Sequence, residues 1–307
     1  MAKNIPENYL SYLGKETKAE DFDEFWEQQI QEVIQFNLTY SLAEETYFYS
    51  TKEIYKILFP ALDGTKVYGW YIRSKNNQNK KCLLTSHGYR SSKREPHLYF
   101  HWLDAGYDVL TFDVRLQGGE TGCNTPLMGP MSEVITLNAF DLETCYLKMI
   151  YTDMMLASLL PEKLGYSEYV LEGTSQAGGL AVAIGCLMQN ATAILANVPS
   201  NSDIDQRILK GTGSFKAFQS ICKHDPDKLA LILHNQSYFD TKNLAEKLTV
   251  PLLASVGGVD NVCPAEAFFA TYNRIQSPKE IFYYPFSGHE GGQSAHTEQE
   301  IKFLHTL

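Results

Sequence analysis

YVLEGTSQAGG, residues 169–179, joins four residues suited to a buried strand to the turn Gly173-Thr174-Ser175-Gln176-Ala177. An apolar run of helical character follows at 180–188. Strand, sharp turn and helix form the context in which the serine of a G-x-S-x-G turn becomes a nucleophile. The reason is geometric. A tight turn lifts the Ser175 hydroxyl above the sheet edge, and the helix start behind it aims free N–H groups and the positive end of its dipole at a developing oxyanion. Small residues on both sides let strand and helix approach. The last position of the turn is Ala177 rather than glycine, a difference of one methyl, with Gly178 and Gly179 directly behind. An ordinary small-residue turn has the same pattern, so the reading depends on partners elsewhere.

Working outward, short apolar runs alternate with helical stretches on both sides of this turn. Upstream, strands are expected at 82–85 and 107–114, with a helical stretch at 95–105 between them and a glycine-rich loop at 118–130. A long helical region, broken only at Pro161, is expected at 131–164. Downstream, strands at 193–198, 251–256 and 280–285 are separated by a mostly helical 203–248 and a helix at 264–274, and a last helix starts near 294. Such alternation predicts an α/β fold, a mostly parallel sheet covered by helices on both faces. The first fifty residues read as an appended arm with an amphipathic helix at 21–36, where Phe22, Phe25, Trp26 and Ile30 recur at helical spacing. An antiparallel lead-in is expected at 46–73, from the runs YFYST, IYKILFP and KVYGWYIR, followed by a polar turn at 74–81. One domain over 1–307 is the natural division.

Composition sets the outer limits. A net charge of −10 over 307 residues offers no basic face for phosphates and argues against a nucleic-acid partner. No window approaches the eighteen or so apolar residues of a membrane-spanning helix, and the N-terminus lacks the apolar segment of a secretory signal. The six cysteines are scattered without a C-x-x-C pair, as in a chain kept reduced, so a cytoplasmic location is expected. Neither a metal-ligand cluster nor a phosphate- or dinucleotide-binding loop is present, and no cofactor is expected.

A serine nucleophile needs a base and a group that orients the base. On a sheet of this kind the chain order is serine, acid, histidine, each on a loop after a strand. Asp260 follows PLLASV and the pair Gly257-Gly258, though it also fits the N-cap of the next helix. His289 lies in YYPFSGHEGG, after a strand and beside glycines. Of eight histidines it alone combines a loop after a strand with a position beyond Asp260. His296 and His305 fall in the last helix, where a solvated position is expected. His87 precedes the nucleophile and suits the oxyanion loop better than the base role. The two oxyanion donors are then the backbone N–H groups of Gln176 and Tyr89. Asp113 is the reserve for the acid.

These residues resemble the acetyl xylan esterase/cephalosporin C deacetylase family, carbohydrate esterase family seven, of the α/β-hydrolase superfamily. The resemblance rests on SHGY (86–89), GTSQAGGLA (173–181), VD (259–260) and GHE (288–290), with FDEFW (22–26), YFD followed by NLA (238–245) and FFATYN (268–273) in support. It implies a Ser175, Asp260 and His289 triad, and an oxyanion hole from Tyr89 and Gln176. It also implies deacetylation of short xylo-oligosaccharides and of the cephalosporin side chain by a cytoplasmic homo-hexamer. Two departures stand out: Ala177, and Leu116 within Arg115-Leu116-Gln117, where the family pattern has glycine. Leu116 either adds bulk to the pocket or packs beneath the sheet edge. A thioesterase or peptidase on the same fold, or a non-catalytic ligand-binding relative, are the competing readings.

Overall fold

The computed structural model describes residues 5–75 and 80–307. Its centre is one nine-stranded sheet of order β1-β2-β3-β5-β4-β6-β7-β8-β9. The strands are β1 (Ser41–Glu44), β2 (Lys52–Pro60), β3 (Lys66–Ser74), β4 (Lys81–Thr85), β5 (Asp108–Phe112), β6 (Glu168–Thr174), β7 (Ala193–Asn197), β8 (Leu252–Gly257) and β9 (Lys279–Tyr284). β1 to β3 pair antiparallel with each other, and β3 pairs antiparallel with β5, which forms the expected lead-in. From β5 to β9 every pairing is parallel.

Period-two alternation explains why the central strands read as unbroken apolar runs. Leu84, Leu171 and Ile194 face one apolar cluster, and their neighbours Leu83, Val170 and Leu195 face the other. The first cluster is closed by the helices Phe22–Gln35, Tyr146–Ala157 and Gln176–Met188. The opposite face is covered by Tyr99, Trp102, Leu103 and, from the last helix, Leu304. The helix of the N-terminal arm is built into this core. Trp26 stacks on Tyr151 at 5.7 Å, and its indole N–H donates to the Tyr238 carbonyl at 2.9 Å.

Several expectations need correction. The region 131–164 is interrupted well before Pro161, which itself sits in the first turn of a short helix. A short 3₁₀ turn (Met131–Thr136) leads into an irregular segment, the helix starts only at Tyr146, and one further turn follows at Leu160–Lys163. Leu137 is extended and Asn138 has φ +53°, so helical geometry ends there even though Val134, Ile135 and Leu137 are buried. YFYST is not a strand: Tyr47 stacks on Tyr49, and Tyr49 meets Phe100 edge-on. The edge strand lies earlier, at Ser41–Glu44, with every residue exposed. Of the polar turn expected at 74–81, residues 76–79 lie outside the described residues. Among the described residues no helix is long and apolar enough to cross a membrane.

β4 lies between β5 on one side and β6 on the other, so the strand order reverses there. In open parallel sheets the crevice beyond the strand C-termini at such a point is where ligands bind. The segments after β4, β6, β8 and β9 carry His87 to Tyr89, Ser175, Asp260 and His289.

Candidate active site

The turn at Ser175 is as sharp as its sequence requires. Ser175 has φ +62° and ψ −119°, a backbone state that a non-glycine residue adopts only where its surroundings impose it. Those surroundings are visible. The Ser175 N–H donates to the Asn197 carbonyl at 2.8 Å, and the Ser175 carbonyl accepts from Ser200 and Gly179 at 2.9 and 3.0 Å. A Cβ on Gly173 would stand 2.2 Å from the carbonyl carbon of Ala177, so strand and helix approach too closely for any other residue. The methyl of Ala177 is accommodated in the buried face of the helix.

The structure brings the three sequence-selected side chains into one hydrogen-bonded chain. His289 Nε2 lies 2.8 Å from Ser175 Oγ, and His289 Nδ1 lies 2.8 Å from Asp260 Oδ2. The other carboxylate oxygen of Asp260 accepts the N–H groups of Val262 and Cys263 at 2.8 and 2.9 Å. The N-cap alternative for Asp260 is excluded, because the next helix begins at Ala265 behind Pro264. With Asp260 acting only as acceptor, Nδ1 carries the proton and Nε2 presents its lone pair to the serine hydroxyl. Asp113, the reserve acid, is engaged elsewhere: it accepts from the Lys93 backbone and ammonium and from the Glu120 N–H.

The loop after β4 places Tyr89 beside the nucleophile. An added Cβ on Gly88 would meet Ser175 Cβ at 3.9 Å. Among the described residues, neither the Tyr89 nor the Gln176 N–H donates to a protein acceptor. His87 holds this loop. Its Nδ1–H donates to the Gly88 carbonyl at 2.9 Å, and its Nε2 accepts from the Val114 N–H at 2.9 Å. The Ser91 N–H also donates to the Gly88 carbonyl, at 3.1 Å. A trans peptide points C=O and N–H oppositely, so anchoring that carbonyl aims the Tyr89 N–H. Burial lowers the His87 pKa and keeps the ring neutral, as an Nε2 acceptor requires. The Gln176 side chain ties the two halves of the site together, donating to the His87 carbonyl and accepting from Gln117.

Arg115 is a structural ion. Its buried guanidinium pairs with Asp153 at 2.6 Å and Asp63 at 2.9 Å. Leu116 has φ +60°, packs half-buried against the core and is not among the residues lining the cavity above Ser175. Of its two readings, the packing one holds. The expectation of a solvated His296 is corrected: it is 2% exposed, wedged edge-on against Phe282 and Tyr284, and burial lowers its pKa to about 4. Among the described residues no group of three His, Cys, Asp or Glu side chains is placed to hold a metal.

The cavity over Ser175 has a volume of about 560 Å³. Tyr89, Ile135 and Leu147 supply apolar wall, and Ser200, Asn201, Arg207 and Cys263 line it as well. Sequence reasoning missed this second group. Arg207 sits in a helical run with no motif to mark it, and Ser200 lies just beyond a strand with no partner to signal it.

Comparison with known proteins identifies the family and the fold. The acetyl xylan esterase (AXE1) family model matches residues 4–307. Acetyl esterase Axe7A of Xylanibacter ruminicola is 25% identical over 289 residues, covering 88% of this chain; the chain spans 63% of that relative's length. The acetyl xylan esterase from Paenibacillus sp. R4 superposes with a TM-score of 0.92 at 27% identity, covering 99% of this chain and 100% of that one. Acetyl xylan esterase 1 from Thermoanaerobacterium sp. JW/SL YS485 gives 0.89 at 25% identity, covering 96% of this chain and 97% of that one. The sheet, the turn at Ser175 and the match over nearly the whole chain together place this protein, an α/β-hydrolase, in the acetyl xylan esterase family of carboxylic-ester hydrolases.

Proposed function

We propose that the chain is a serine carboxylesterase that removes acetyl groups from small esters, with acetylated xylo-oligosaccharides and cephalosporin-type acetates as its substrates. The observation that carries the proposal is the unbroken chain Asp260 Oδ2, His289, Ser175 Oγ, with 2.8 Å at each link. In this reading His289 Nε2 takes the proton as Ser175 Oγ attacks the acetyl carbonyl, and Asp260 stabilises the imidazolium that forms. The N–H groups of Tyr89 and Gln176 hold the oxyanion. Collapse of the tetrahedral intermediate expels the alcohol, which takes the proton from His289. Water then attacks the acetyl-enzyme by the same route and releases acetate.

The apolar wall of Tyr89, Ile135 and Leu147 limits the acyl group. Each extra methylene refused is worth about 1–3 kcal/mol, so acetate is favoured over propionate by roughly ten- to a hundred-fold. Hydrolysis rates of an aryl acetate, the matching butyrate and a peptide amide test the assignment. Preference for butyrate would overturn the deacetylase reading, and amide cleavage would favour a peptidase.

The family resemblance also supports a cytoplasmic homo-hexamer. Phe48, fully exposed, and the partly exposed Tyr49 leave aromatic surface for a contact in 40–49, whereas Phe268 and Phe269 fill the chain's own core. Light scattering at the 34.7 kDa of a single chain would contradict assembly.

A further inference from the structure

Four lysine and arginine side chains are buried among the described residues: Lys93, Arg115, Arg207 and Lys242. Three are neutralised by carboxylates. Lys93 meets Asp113 and Glu120, Arg115 meets Asp63 and Asp153, and Lys242 lies among Asp203, Asp205 and Asp240. Arg207 is the exception. It is 2% exposed, and its partners are all uncharged: Ser200 Oγ at 2.9 Å, the Val262 carbonyl at 2.8 Å and Cys263 Sγ at 3.7 Å. Its Nε–H has no acceptor, and its guanidinium lies 4.5 Å from the centre of the Phe215 ring.

An arginine stays charged at any working pH, and burying an ion without a counter-charge is strongly unfavourable. This one lines the cavity that holds Ser175. It is also close to the chemistry, since Ser200, which accepts from Arg207 through its Oγ, donates its own N–H to the Ser175 carbonyl. Asp260, the nearby acid, has both oxygens occupied by His289 and two backbone amides.

We propose that Arg207 is a specificity residue that reads a carboxylate on the substrate, a few atoms from the scissile ester. The missing counter-ion is supplied by the ligand. The preferred esters are therefore acidic. The carboxylate belongs to the alcohol half, as in an acetylated hydroxy acid or uronic acid, since the wall of Tyr89, Ile135 and Leu147 holds the acyl half to acetate. The proposal rests on the reading of Ser175 as an esterase nucleophile and adds the charge of the substrate to it.

Two isosteric pairs test it and distinguish the sources. The alcohol-side pair is 4-acetoxybenzoate and 4-acetoxybenzamide; the acyl-side pair is ethyl hydrogen succinate and ethyl succinamate. In the parent enzyme the alcohol-side pair favours the carboxylate in kcat/KM by about ten- to a hundred-fold, the scale of a desolvated hydrogen bond to a charged group. The preference falls to near unity in Arg207→Met, chiefly through KM, and partly returns in Arg207→Lys. It persists in Arg94→Gln, which removes the exposed arginine at the rim. Because Arg207→Met deletes an unpaired buried ion, the variant melts no lower than the parent.

A parent whose carboxylate preference is absent, or appears only in the acyl-side pair, overturns the proposal, as does a preference that survives Arg207→Met. Equal loss on carboxylate and amide together with a lower Tm would make Arg207 a structural tie to the Val262 loop instead. If Arg207→Met does not fold, that same structural role is the conclusion. A parent inactive on all four esters would refute the esterase reading itself.

Discussion

Replacing His87 tests the proposed oxyanion hole, because the imidazole itself is placed to hold the Gly88 carbonyl and not the ester. His87→Leu removes two hydrogen bonds, from Nδ1–H to the Gly88 carbonyl and from the Val114 N–H to Nε2, each 2.9 Å long. The Gly88 carbonyl keeps a donor in Ser91, but the Val114 N–H is left buried without an acceptor. That orphaned donor costs about 1–3 kcal/mol of stability. The effect on rate comes through the Tyr89 amide. Losing an oxyanion donor outright lowers kcat by about 10²–10³. Ser91 still holds the Gly88 carbonyl, so the expected loss is smaller, roughly 10- to 100-fold in kcat, with KM changed by about threefold or less. Steady-state hydrolysis of an aryl acetate separates the two constants, and denaturant unfolding measures stability in parallel. His87→Asn, which keeps a short N–H donor directed at the Gly88 carbonyl, is expected to recover about tenfold in kcat. A His87→Leu enzyme that lost stability but kept kcat within about threefold of the parent would refute the reasoning, because His87 would then pack the loop without aiming the Tyr89 amide.

Two further predictions concern strain and pH. Leu116→Gly relieves a left-handed leucine, worth about 1–2 kcal/mol, but gives up half-buried apolar surface and gains chain entropy when unfolded. The net change in stability is expected within about 1 kcal/mol, and the acetate-to-butyrate ratio is unchanged; a shift in that ratio would put Leu116 in the pocket after all. Glu172 lines both the catalytic cavity and a smaller one beside it, about 180 Å³, that Glu300, His296 and Arg94 also line. Burial pushes the Glu172 carboxyl up to about 7, against opposing effects of Thr85 and Arg94, and the neighbouring Glu300 is raised as well. A carboxyl raised on folding contributes stability below its unfolded value near 4.5, which is lost as pH rises through about 7. Glu172→Gln should therefore match the parent at pH 5 and exceed it at pH 8 by on the order of 1–3 kcal/mol. A stability difference independent of pH would contradict this.

Legibility in the sequence followed how local the determining physics was. The Ser175 turn could be read because its steric demands fall on consecutive residues, and Gly173 shows why no substitute fits. Asp260 and His289 could be found because strand order dictates where the second and third members must stand. The 131–164 segment was misread because its buried residues have helix-like hydrophobicity, while its backbone turns at Leu137 and Asn138 for reasons of tertiary packing. β1 gave no alternation to detect, since all four of its residues face solvent at the sheet edge. The partners of Arg115 lie 52 residues before it and 38 after, and no local pattern joins them. Arg207 is the extreme case. Its significance is the lack of a charged partner, which becomes visible only once the chain is folded.

The most direct test of the catalytic assignment is mass-spectrometric mapping after reaction with an organophosphate, in the parent and in Ser175→Ala. One modified peptide, containing Ser175, is expected in the parent and none in the variant. The variant kcat is expected to be lower by about 10⁶, the scale for triad serines, with the fold intact. Stoichiometric labelling at another serine, or a Ser175→Ala enzyme that still hydrolyses acetate at an appreciable fraction of the parent rate, would contradict the assignment.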